Sequence, residues 1–168
     1  MTTTVSASSL AAVQAALYTA LTGTAEYVAL CAVYDYVPAK PPYPHTVIGE
    51  AMESPDRTMG QLGHEVVLML TTYTKDASSE ATGRAGSVGF KQGLTIVEVQ
   101  TRILVEEQTF AVSGYSVTMV EVDSIQTSRG ADGVTRIIDA NYRIWLEYVG
   151  PQLALITEDM RAIATEGA

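Results

Sequence analysis

FKQGLTIVEVQTRILVEE, residues 90–107, is the stretch whose reading decides the fold of this chain. Phe90, Leu94, Val97 and Leu104 fit one helical face, whereas Val97, Val99, Ile103 and Val105 alternate as on a strand. The β-branched content favours a strand. Length favours a helix, because strands seldom run this far. The neighbouring segments also read as a sheet that needs a covering layer between its two hairpins. A helix is therefore the expectation, and a strand here would overturn the fold that follows.

On the C-terminal side, Gly114 turns the chain into a strand over 115–127. A polar tip with Gly130, Asp132 and Gly133 leads into Thr135–Tyr148, which together make a hairpin signal. The tip is too long for a two-residue turn and should project beyond the sheet. Pro151 then opens a segment in which Leu153, Ile156, Met160 and Ile163 fall at helical spacing, with Gly167 near its stop.

On the N-terminal side, HEVVLMLTTYT over 64–74 is the clearest strand. Its centre, 66–70, is apolar on both faces, so it belongs inside the sheet with a helix or a neighbouring subunit on each side. Residues 75–86 are small and polar, a connection. A second strand is expected over 46–52, and 53–64, with Pro55, Gly60 and Gly63, reads as a long polar connection. Pro38, Pro41, Pro42 and Pro44 forbid regular structure before it. Residues 25–36 are apolar and read as a helical turn leading to a strand at 32–36. Ser8 or Ser9 can cap a helix whose Leu10, Val13, Leu17 and Leu21 recur at helical spacing, with Gly23 as its stop.

These segments add up to one α+β domain over 9–149. It should hold a mostly antiparallel sheet of about four to five strands, packed with an N-terminal, a central and a C-terminal helix. Residues 1–8 are expected as a flexible start and 150–168 as a helical extension. The 168 residues suit a single domain. Apolar residues make up 47% and charged residues 17%, a composition that folds. Net charge is −9, which argues against a broad basic surface for wrapping nucleic acid. Cys31 is the only cysteine, so an intrachain disulfide and a thiolate-rich metal site are both excluded. MTTTVSASS lacks a basic stretch followed by an apolar one, and no apolar run approaches a membrane span. Assembly in the cytoplasm, away from membranes, is the resulting expectation.

Motifs for chemistry fail one by one. His45 and His64 have no second ligand at metal spacing, and His64-Glu65 does not continue into a His-Glu-x-x-His helix, because position 68 is leucine. Gly114-Tyr115-Ser116-Val117-Thr118 lacks the second glycine of a nucleophile elbow and precedes a strand. Gly83, Gly86 and Gly89 are followed by no Gly-Lys-Ser/Thr. Glu106-Glu107 and Glu158-Asp159 read as solvated helix surface. Cys31, among Val28, Leu30 and Val33, reads as a small buried hydrophobe. No catalytic residue, metal ligand or cofactor site is expected. Tyr34, Tyr36 and Tyr43 cluster near the prolines, where they serve as interface anchors or as core.

From Leu10 to Tyr148 the order of elements resembles the tail terminator, or tail completion, family of long-tailed bacteriophages. The resemblance runs from a leucine/alanine helix through Val33-Tyr34 and a proline loop ending Pro42-Tyr43. It then passes Val47-Ile48-Gly49-Glu50, which looks like the family's Gly-Glu strand. Asp132-Gly133-Val134-Thr135-Arg136 is similar to its recurrent Asp-Gly-x-Thr-Arg and is the most specific stretch. Pro44-His45-Thr46 stretches the passage into the Gly-Glu strand, the central helix is rich in β-branched residues, and the segment after Pro151 is an addition.

The resemblance implies a structural virion protein rather than an enzyme. Six copies would form a homo-hexameric ring on the tail tube protein, end tube polymerisation and meet the head connector or head-closure protein. DNA would pass through the ring without specific binding. Another neck component is the nearest competing reading, and a small cytosolic enzyme a more distant one. The polar, turn-rich stretches 53–64 and 128–136 are the expected contact surfaces. Arg57, Met59, Tyr43, Arg129, Asp132 and Arg136 are the expected interface residues.

Overall fold

Residues 90–106 are helical, with Glu107 closing the last turn. Helix α3 covers Gly89–Thr101, and its C-terminal turns, Arg102–Glu106, widen into a π segment. The inward face is Gly93, Ile96, Val97, Gln100, Ile103 and Leu104. Leu94, assigned to that face by its spacing, is instead exposed. Gly93 takes the close position: a Cβ there would lie 2.3 Å from Ile138 Cδ1. The missing side chain lets the helix settle directly on the sheet. Gly93→Val is accordingly expected to cost about 2–3 kcal/mol by overpacking, read from the denaturant midpoint. Gly23→Ala, which meets nothing within 4 Å, is the control that should not.

The structure, a computed structural model, describes residues 8–56, 63–75, 89–108 and 110–149. Helices α1 (Leu10–Gly23) and α2 (Ala25–Leu30) precede strands β1 (Ala32–Tyr34), β2 (His45–Asp56) and β3 (Gly63–Lys75). After α3 come β4 (Tyr115–Arg129) and β5 (Thr135–Tyr148). The five strands form one sheet in the order β1-β2-β3-β5-β4. Only the β1–β2 pair is parallel. The fold is thus a single α+β domain. The expected C-terminal helix, like residues 1–7, lies outside the described residues.

Alternation along β5 separates the two faces. Ile138, Ala140, Tyr142, Ile144 and Leu146 are buried, while Asp139, Asn141, Arg143 and Trp145 between them are half-buried. The first set continues as Val66, Leu68, Leu70 and Thr72 of β3. All three helices pack on this side, with Val13, Leu17 and Leu21 of α1 fully buried. β3 lies between β2 and β5, as its two-sided apolar centre requires, but among the described residues its second face has no covering layer.

The strands are 12 to 15 residues long apart from β1, or about 40–50 Å at ~3.3 Å per residue. β2 continues four residues past the expected end at Met52, and Pro55 lies within it opposite His64. β1 pairs only with the first three positions of β2. Beyond them β2 is a sheet edge, where a missing N–H leaves no bond unmade.

A chain of buried polar groups threads this core. Tyr27 Oη bonds Thr46 Oγ1 at 2.9 Å and donates to Gln100 Oε1 at 3.0 Å. Gln100 Nε2 donates to Tyr142 Oη at 3.2 Å, and Thr101 Oγ1 meets the same hydroxyl at 2.9 Å. Thr46 also reaches Thr72 Oγ1 and Cys31 Sγ. Cys31 is buried, as expected, but as a hydrogen-bonded member of this network. Burial pushes the Tyr142 phenol up to about 12 and the Tyr27 phenol well above its ordinary value, so both stay neutral and available for bonding.

Candidate assembly surfaces

Three surfaces concentrate the exposed chemistry: the two ends of the long sheet and the face on which no described helix packs. At one end lies the β4–β5 tip. Asp132 accepts hydrogen bonds from Val134 N at 3.1 Å, Thr135 N at 2.9 Å and Thr135 Oγ1 at 2.7 Å. The Thr135 hydroxyl, followed by its backbone N–H, holds the Asp132 carboxyl below its usual value. Gly133 sits at φ +73°, a conformation that favours glycine. Arg136 donates to Gly133 O at 2.9 Å and stacks over Phe90 at 5.6 Å. Asp-Gly-x-Thr-Arg is thus a self-bonded turn. Asp132 and Arg136 build the tip, and Arg129 stands exposed where β4 enters it.

Tyr43 lies at the same end. Its ring is 5.0 Å from His45, which stacks on Tyr73 at 5.0 Å and meets Tyr34 edge-on at 5.9 Å. Lys75 Nζ sits 5.9 Å from the Tyr43 ring, and Lys75 pairs with Thr135 at the base of the tip. Burial pushes the His45 imidazole below its ordinary pKa against the opposing effect of the Pro42 carbonyl, 2.8 Å from Nδ1. Of this aromatic cluster only Tyr34 and Tyr43 stood out in the sequence, because Tyr73 joins it only through strand register.

Tyr43, Arg129, Asp132 and Arg136 therefore share one end of the sheet. The opposite end carries Asp56, from which the chain leaves toward Arg57 and Met59; both lie outside the described residues. The expected contact stretch 53–64 divides here, since Glu53 to Asp56 are strand. Glu53 has a structural task that its sequence position did not show. It accepts from Ser9 N at 3.0 Å and from the Ser9 and Ser8 hydroxyls at 2.8 Å, and pairs with His64 Nδ1 at 2.7 Å. The α1 N-terminus is thus held by a strand carboxylate together with Ser8, whose Oγ accepts the Leu10 N–H at 3.3 Å, while Ser9 makes no side-chain cap bond to the helix.

Burial works to raise the Glu53 carboxyl, but the serine bonds and His64 hold it below its ordinary value. For Glu53 and His45 alike the folded pKa is depressed. Their stabilising contributions are present above the unfolded values of about 4.3 and 6.5 and are lost as pH falls through the folded ones. Stability should therefore decline on acidification from about pH 6.5. Glu53→Gln should flatten the lower part of that decline, and Glu53→Ala should cost about 1–2 kcal/mol at neutral pH. Denaturation series at several pH values check both.

The third surface is the open sheet face. At its centre Arg143 lies 3.4 Å from Glu65 and 4.0 Å from Glu121, bonds Asp123, and stacks over Trp145 at 5.8 Å. Met119, opposite Trp145, and Met52, opposite Val67, project from it and are exposed. No motif could reveal this grouping, because its members come from four strands and meet only through register. Among the described residues no group of His, Cys, Asp and Glu is placed to hold a metal ion, and no helix is long and apolar enough to cross a membrane.

Among the described residues, one sheet with helices on one side, a polar turn at its tip and no layer over its second face is the build of a small α+β assembly subunit. Residues 15–147 match the family described as tail completion protein gp17. The chain belongs to that family, and so is a structural component of a phage-type tail and not an enzyme. Its fold is similar to that of a chain in the solved virion of a native gene transfer agent particle. The TM-score is 0.69 at 23% identity, over 84% of this chain and 99% of that one. Comparison with curated proteins finds no match.

Proposed function

We propose that this chain forms a ring, of six copies, that caps the tail tube, ends its polymerisation and joins it to the head connector. Family membership over 15–147 is the observation that carries this reading. The likeness to a virion chain supports it, as does the separation of the two polar ends by a sheet about 40 Å long. One end suits the tail tube protein and the other the connector, while the middle of the subunit faces its neighbours. The net charge of −9 suits a channel through which DNA slides without specific binding.

Electron microscopy and native mass measurement of the purified protein test the ring. A closed ring of six subunits is expected, in solution or seated on tube ends. A chain that stays monomeric in both settings refutes it.

A further inference from the structure

Resting on the ring reading, we propose that the outer face of α1 seats on the open sheet face of the next copy, so that the ring closes head to tail. The two surfaces are unlike patches on opposite sides of the same sheet, and a head-to-tail contact joins unlike patches. α1, LAAVQAALYTALTG, carries no charged residue in its 14 positions, although Ala11, Ala15, Tyr18 and Thr19 are exposed. A surface helix ordinarily turns a charged face to water. In a chain of net charge −9, a neutral exposed helix is a surface that can close on an acidic neighbour without repulsion.

The open face is such a neighbour, with Glu65, Glu121 and Asp123 around the single Arg143. Two open faces brought together would set these acidic groups against each other, which disfavours a face-to-face pair. Shape agrees with charge. Beside α1 runs a cleft of about 510 Å³ lined by Ala11, Ala15, Tyr18, Tyr34 and Tyr36, with Asp35 on its rim bonded to Gln14. The open face projects Met52 and Met119, 64% and 45% exposed, and methionine fills irregular clefts well. The outer face of α1, 14 residues at ~1.5 Å rise and ~10 Å wide, covers about 200 Å² of the roughly 600 Å² that four strands present, and the Tyr34 and Tyr36 side of the cleft extends the contact toward the ~800 Å² per partner of a specific interface.

Cross-linking tests the geometry in assembled tails. Tyr18→Cys and Met119→Cys chains would be incorporated singly and as a mixture, then treated with a bis-maleimide; native Cys31, 3% exposed, is shielded. Ala15→Cys with Met52→Cys serves as a second pair should either first variant fail to assemble. The expected result is a covalent dimer only in the mixture. Dimers from Met119→Cys alone, or none in tails whose ring is visible by microscopy, overturn the head-to-tail contact and leave the ring standing. Absence of the chain from the tails overturns the ring reading, and this contact with it.

Discussion

A Gln100→Leu variant is expected to lose about 2–4 kcal/mol of folding stability, the largest effect of any single core change considered. Gln100 is fully buried between two phenols, accepting from Tyr27 and donating to Tyr142. Leucine fills comparable space, so the loss is polar. The Tyr27 hydroxyl is left with Thr46 alone and the Tyr142 hydroxyl with Thr101 alone. Each buried group left short costs about 1–3 kcal/mol. At ~2–4 °C per kcal/mol for a domain of this size, the melting midpoint should fall by about 5–15 °C. Combining Gln100→Leu with Tyr142→Phe should cost less than the sum of the two, because the same bond is removed twice. Strict additivity would show that the network does not act as a unit. The network should also fail in alkali. The Tyr142 value of about 12 exceeds the unfolded value near 10, so its stabilising contribution is complete below pH 10 and is lost as pH rises toward 12.

The second large effect is functional. Reversing Arg57 and Arg129 together to Glu is expected to lower infectivity at least about tenfold while leaving the melting curve unchanged, since ~1.4 kcal/mol of lost contact energy is a factor of ten. Arg129 is exposed at the tip end of the sheet, and Asp56, the residue before Arg57 in the sequence, closes β2 at the opposite end. If these ends meet different partners, each single reversal should impair a different joint: tube to ring, or ring to head. Plaque titre and electron microscopy of the particles distinguish them. An unchanged titre with folded protein discards the assignment of contacts to these ends.

Much of the fold was legible because its elements carry strong periodic signals. The α1 stripe, the β4–β5 hairpin and the centre of β3 all fall where apolar spacing puts them. The central helix was harder, since its isoleucines, valines and threonines favour a strand locally; the need to cover the sheet prevailed. Strand lengths were underestimated for a related reason. Glu53, Ser54, Pro55 and Asp56 look like loop, yet pairing with β3 extends β2 through them. Of the interface residues, the Asp132-to-Arg136 stretch was visible as a motif, but its hydrogen bonds show side chains occupied in building the turn. The Arg143 cluster and the His45 aromatic cluster stayed hidden, because cross-strand register alone brings them together.

In the proposed role this chain ends the tail tube and joins it to the head. Particles produced without it, seen by electron microscopy, should show tails of abnormal length, free of heads, alongside filled heads that lack tails. Tails of normal length attached to heads in the absence of this chain would rule that role out.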